Sequence, residues 1–153
     1  MTREELQQYL VTTFPELTFP EIASKILNTE CPRDKMHDIA EKIVADPALH
    51  LDFLFCLTAI DWPEFLEVIY HLRSSDLEHE VVFRVKTDGR ESAEVDTVCD
   101  IWRTAEFHER EVFDLFGVKF RNHPDLRRIL LEDDRIGYPL RKDYVDDINI
   151  IEL

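Results

Sequence analysis

Two groups of side chains have the types and spacing for chemistry. One is the run Glu106-Phe107-His108-Glu109-Arg110-Glu111, followed by Asp114. Two carboxylates beside a histidine can do general acid–base work or ligate a metal. His108 has no second helical histidine at a metal-binding offset and no HExxH motif is present, so the pattern more simply describes a surface or turn histidine, and the same holds for His123. Glu106–Arg110 and Arg110–Asp114 are i,i+4 pairs, the spacing of a salt-bridged, solvated helix face. In a sharper reading, Glu109 or Glu111 leaves the solvent and holds an arginine of the tail or of a partner, which a buried charge tolerates only if fully hydrogen-bonded. A stand-alone acid–base enzyme using Glu109, Glu111 and His108 is the competing assignment.

The second group is basic and apolar together: His123-Pro124-Asp125-Leu126-Arg127-Arg128-Ile129-Leu130-Leu131, then Tyr138-Pro139-Leu140-Arg141-Lys142-Asp143-Tyr144. Arginine and tyrosine are enriched in interface hot spots. These side chains are expected either to anchor on a partner or to fold back on the acidic domain, and the two are compatible. Leu126, Ile129, Leu130 and Leu140 would be apolar anchors, and Arg127, Arg128, Arg141 and Lys142 charged ones.

Other chemistry is excluded by composition. With three glycines no phosphate-cradling loop can be written, and no serine sits in a GxSxG elbow. Cys31, Cys56 and Cys99 are too few and too scattered for an iron–sulfur cluster held by four thiolates. They fit reduced thiols, with Cys56 as a small core residue. A net charge of -15 disfavours nucleic acid. The charge is uneven: residues 1–118 carry -14, residues 119–143 carry +2 and the last ten -3. No apolar run approaches the ~20 residues that span a bilayer, so membrane contact is expected only through a partner.

The elements that must position these groups follow from pattern. Thr2 and Glu5 form a capping box opening a helix to about Phe14, with Leu6, Tyr9, Leu10 and Thr13 inward. Residues 22–29 suggest a short strand. Pro32 suits a first helical position, with Met36, Ile39, Ala40 and Ile43 as the apolar stripe of a helix ending near Ala45. Three strands follow at 51–60, 65–73 and 81–86. Leu51, Phe53, Phe55 and Leu57 alternate, and Leu54 suggests burial on both faces. Short connections predict an antiparallel meander. Thr104 should cap a helix over 105–116, and Gly117 should end it in the left-handed conformation. A brief strand is expected at 118–120. The predicted fold class is α+β: a two-layer domain over 1–117, helices packed on a mostly antiparallel meander sheet, and an extended C-terminal segment over 118–153 that docks on a partner.

The blocks EREVFDLFGVKF (from Glu109), HPDLRRIL (from His123) and GYPLRKDY (from Gly137) closely resemble the C-type subunit, or thirty-kilodalton subunit, of respiratory NADH–quinone oxidoreductase (complex I). The close match covers residues 109–144; upstream, the stretch Thr58-Ala59-Ile60-Asp61 fits more loosely. The resemblance implies a non-catalytic peripheral-arm subunit that holds no flavin, cluster or metal itself, while the whole complex carries FMN, Fe-S clusters and quinone. It implies packing on the quinone-pocket (D-type, forty-nine-kilodalton) subunit, on the cytoplasmic face of the cell inner membrane. The interface residues it implies are Glu109, Arg110, Glu111, Asp114, His123, Arg127, Arg128, Pro139, Leu140, Arg141, Lys142, Asp143 and Tyr144. Related membrane-bound hydrogenases and F420H2- or ferredoxin-linked dehydrogenases use similar subunits and remain alternatives.

Overall fold

The computed structural model describes residues 1–146; the end of the expected docking segment, 147–153, lies outside the described residues. The chain runs α1 (Arg3–Thr13), β1 (Leu27–Glu30), a 3-10 turn (Arg33–Lys35), α2 (Met36–Ala45), β2 (Phe53–Asp61), β3 (Leu66–Arg73), β4 (Glu80–Lys86), β5 (Glu94–Asp96), α3 (Ala105–Phe116) and β6 (Lys119–Arg121). The fold is the expected α+β class.

Local chemistry sets the helix ends. The Thr2–Glu5 capping box forms reciprocally, satisfying two orphan N–H groups of α1. Leu6 and Leu10 of α1 and Met36, Ile39, Ala40 and Ile43 of α2 are buried, as their spacing requires, whereas Thr13 is exposed. Pro32 precedes the 3-10 turn instead of opening α2, which starts at Met36.

The main sheet has the order β1-β4-β3-β2. The β2–β3–β4 meander is antiparallel, as short turns demand. The fourth strand departs from expectation: it is only Leu27–Glu30 and pairs parallel with β4, Leu27 opposite Val81. A parallel neighbour needs a long crossover, here α2 with β2 and β3, and local pattern carries no trace of it. Upstream of it, Ile22 and Ser24 each close a tight turn through their N–H groups instead of extending.

Strand β2 also differs from expectation. Phe53 and Phe55 are exposed, while Leu51, Leu54, Leu57 and Ala59 are buried. The register against β3 slips between Leu54 and Cys56, and this irregularity inverts the alternation. Cys56 is consequently half-buried and not a core residue.

One contiguous core joins the inner sheet face (Val68, Tyr70, Leu72, Val81, Phe83, Val85) to α1, α2 and the stripe Ala105, Val112, Phe116 of α3. A second, two-stranded sheet pairs β5 parallel with β6; β6 falls where a strand was expected and β5 was not foreseen. Among the described residues, no helix is long and apolar enough to cross a membrane.

Candidate functional site

The site is α3 together with residues 122–146, which cross its C-terminal end as an irregular strap. Its layout begins with the helical period. Ala105, Val112 and Phe116 face the core, and Glu109 lies on the same stripe, so folding α3 drags a carboxylate inside. Arg110 and Asp114 form the adjacent stripe. Glu109 and Asp114 have no solvent exposure and Arg110 only 7%. The solvated, salt-bridged face read from the i,i+4 spacings is therefore not what forms, and neither pair closes.

Each buried charge is answered individually. Glu109 accepts from the Thr97 hydroxyl and from the Val98 N–H at 2.8 Å. Burial nevertheless dominates and pushes its carboxyl up to about 7. Asp114 accepts from Arg128 Nη1 at 2.8 Å and from the N–H groups of Ile129, Leu130 and Leu131. Burial raises its carboxyl, but the guanidinium and the three amides outweigh that and hold it below the ordinary value. Thus Asp114, not Glu109 or Glu111, is the carboxylate that grips a tail arginine. Glu111 stays exposed, apart from the strap.

Arg110 donates to the carbonyls of Arg127 (3.1 Å) and Arg128 (2.9 Å) and lies over the exposed ring of Phe107. Thr104 does not cap the helix; its hydroxyl donates to Leu54 O on β2. At the other end, Gly117 adopts φ +76° and its N–H returns to Phe113 O, as predicted. The next three carbonyls, orphans in any α-helix, are met by the strap. Arg128 Nη1 donates to Asp114 O, Leu140 N–H to Leu115 O and Arg141 Nε to Phe116 O. Two guanidinium groups thus sit at the negative end of the helix dipole. Both also lie over the Tyr138 ring, at 5.3 Å (Arg128) and 5.0 Å (Arg141).

Farther along, Asp61, buried at the end of β2, accepts from the Lys142 N–H at 2.8 Å and from Arg90, which also reaches Asp143 at 3.2 Å. Burial raises the Asp61 carboxyl, but the Lys142 amide and Arg90 more than offset it. Arg135 bonds the Tyr144 hydroxyl at 2.7 Å and Asp146. Pro139 is half-buried between these anchors. Thr97, Val98, Asp61 and Arg90 were missed as site residues. An aspartate closing an apolar strand was the available signal for Asp61; nothing local marks the others.

The strap therefore turns two arginines inward and leaves several aliphatic side chains, among exposed charges, outside. Arg128 and Arg141 point inward, whereas Arg127, Lys142 and Asp143 are exposed. So are Leu130 (63%), Ile136 (89%), Leu140 (53%) and Val145 (76%).

The acid–base group of Glu109, Glu111 and His108 is not brought together. Glu109 and Glu111 lie on different faces of α3. A cavity of about 650 Å³ opens beside Thr97, Cys99 and Glu106, but Glu109 does not line it. Cys99, Glu109 and His123 do bring ligand atoms within 4.8 Å of one another. The Glu109 and His123 donors already have protein partners. The Asp125 N–H donates to His123 Nδ1, which leaves the ring proton on Nε2, directed at Glu106 O at 3.0 Å. Both Glu109 oxygens are engaged. A metal at this point would compete with these contacts.

Comparison with known proteins gives a consistent picture. The sequence profile of "Respiratory-chain NADH dehydrogenase, 30 Kd subunit" matches residues 29–147. The fused C/D polypeptide of NADH-quinone oxidoreductase from Phocaeicola vulgatus is 44% identical over 125 residues, 81% of this chain and 24% of that protein. The separate C-type subunit of the same enzyme from Chlorobium phaeobacteroides is 41% identical over 114 residues, 72% of this chain and 68% of that protein. The chain thus spans about a quarter of the fused C/D relative and about two thirds of the separate C-type one. Among solved structures, a chain of the membrane-bound sulfane sulfur reductase, an archaeal respiratory membrane complex, superposes with a TM-score of 0.78 at 28% identity, covering 95% of this chain and 86% of the other.

Proposed function

The chain belongs to the family of the 30 Kd subunit of respiratory-chain NADH dehydrogenase, and from that premise we propose that it is a non-catalytic subunit of the peripheral arm of an NADH–quinone oxidoreductase. In this reading it binds no flavin or iron–sulfur cluster, in keeping with three dispersed cysteines. It docks on the D-type, quinone-pocket subunit, at the cytoplasmic face of the membrane, and the complex as a whole moves electrons from NADH to quinone. The fused C/D relatives support that partner, because one polypeptide there carries both names.

The observation that carries the proposal is the inverted strap. Two of its arginines, Arg128 and Arg141, are engaged inside the chain, while Leu130, Ile136 and Leu140 face outward. Aliphatic side chains exposed to water gain by being covered. Because the strap is ordered on its own domain, docking does not carry the ordering cost of a disordered tail. The interface contribution of the family residues then falls to Arg127, Leu140, Lys142 and Asp143, with Glu109, Arg110, Asp114, Arg128 and Arg141 shaping the strap from beneath.

The test is a Leu130→Asp/Leu140→Asp double variant. The isolated chain should melt within a few degrees of wild type, while co-purification with the D-type subunit falls at least tenfold. Normal assembly with wild-type NADH–quinone turnover would overturn the proposal. The likeness to a sulfane sulfur reductase chain favours a second reading, the equivalent subunit of a related respiratory complex with another electron donor or acceptor. Co-purification of the native complex and its NADH-dependent quinone reduction separate the two.

A further inference from the structure

We propose that His37, Glu41 and Asp100 form a binding site for a divalent transition-metal ion, zinc by chemistry, that clips α2 to the loop following β5. This departs from the expectation of a metal-free subunit and is independent of the docking reading. His37 and Glu41 are four residues apart in α2, so helical geometry sets imidazole and carboxylate on one face, one turn apart. Asp100 meets them from the loop that joins β5 to α3. The three side chains bring one ligand atom each within 4.8 Å of the others.

Both carboxylates here are exposed, in contrast to the buried Glu109 of the other cluster. His37 Nε2 and Asp100 Oδ2 face each other at 2.8 Å across a single proton. Replacing that proton by zinc requires the pair to part only to roughly 3.3 Å, given metal–ligand bonds of about 2.0–2.2 Å. The Glu41 side chain is exposed and makes no hydrogen bond to another described residue. A fourth position opens on the 650 Å³ cavity, which His37 and Asp100 line, so an ion has both an entry path and room for a water. Asp38 and Asp96 on the same wall add negative potential. One imidazole with two carboxylates selects zinc or its neighbours over magnesium and calcium, which prefer all-oxygen shells.

The test is calorimetric titration of the purified chain with zinc in millimolar magnesium. One equivalent should bind with micromolar or tighter affinity and raise the melting temperature. His37→Ala and Glu41→Gln should each weaken binding at least tenfold. Glu41→Gln removes no hydrogen bond or ion pair of the metal-free chain, only a weak attraction to His37, so its folding is secure even if His37→Ala loosens the loop. Absence of saturable binding in magnesium, or unchanged affinity in both variants, would overturn the site.

Discussion

Glu109 and Asp114 stand five residues apart on one helix, both without solvent exposure, and are driven in opposite directions. The difference is the donor set. Asp114 has a guanidinium and three amides; Glu109 has one hydroxyl and one amide, too little to repay its lost hydration. The consequence for stability is opposite in sign. An ordinary glutamate ionises near 4.5, and folded Glu109 near 7. Between those values the unfolded chain has released a proton that the native chain keeps. The Glu109 contribution to stability therefore falls as pH rises through that window, by on the order of 3 kcal/mol, and is flat above it. For Asp114, whose carboxyl is held below 3.8, the contribution is present above that value and is lost as pH falls beneath it. Glu109→Gln keeps the shape without the charge. Chemical denaturation of this variant between pH 4.5 and 7 should lack the wild-type decline, leaving it at least as stable as the parent at pH 7.5. An unchanged slope would mean that Glu109 is ionised throughout.

At the scale of elements, α3 and the strap are one unit, because the strap supplies the groups that the helix end lacks. Gly117 is the joint. Its φ of +76° lies where an L side chain is strained, and a Cβ there would fall 2.5 Å from the Tyr138 ring. Gly117→Ala therefore should displace Tyr138, over which Arg128 and Arg141 lie. A loss of roughly 2 kcal/mol is expected, about 4–8 °C in melting temperature for a domain of this size. Proteolysis should cut first within 124–146, while the sheet stays protected. A cooperative melt with no early strap cleavage would show that the joint tolerates the methyl group. This element also marks how far the sequence could be read. The Gly117 stop, the Thr2–Glu5 opening of α1 and the three-strand meander follow from local pattern, whereas Pro32 falls short of α2. The burial of Glu109 was legible too, since 105, 109, 112 and 116 share a stripe, but a charged residue on it looked like surface. The parallel pairing of β1, the slip in β2 and the Asp61–Arg90 anchor depend on contacts between distant segments, for which no local spacing stands proxy.

Over the whole molecule, the places where individual charges find partners decide which side of the strap faces inward. Residues 1–118 carry a net -14 and residues 119–143 a net +2, but Lys119 and Arg121 in that count belong to β6 and not to the strap. Arg128 and Arg141 of the strap find the Asp114 carboxylate and the carbonyls of Asp114 and Phe116. With these two guanidinium groups committed inward, Leu130, Ile136 and Leu140 are turned out. Two arginines of the same motif should thus behave differently, although sequence alone gives them one role. Arg141 donates to Phe116 O at 2.6 Å and to Arg90 O at 3.1 Å; Arg127 is exposed and its side chain bonds Asp125, two residues away. Arg141→Ala removes charged hydrogen bonds to half-buried carbonyls and should destabilise the isolated chain by about 2–3 kcal/mol. Arg127→Ala should leave it within about 0.5 kcal/mol of wild type. If the strap docks as proposed, the order reverses in kind in assembly: Arg127→Ala should weaken capture by the proposed D-type partner directly, through faster dissociation. Arg141→Ala weakens it only as far as the strap has come loose, so lowering the temperature should restore it. Thermal melts of the two isolated variants, with binding measured at 10 and 30 °C, distinguish these cases. Equal destabilisation by both, or a temperature-independent binding loss in Arg141→Ala, would place Arg141 at the partner surface instead of beneath it.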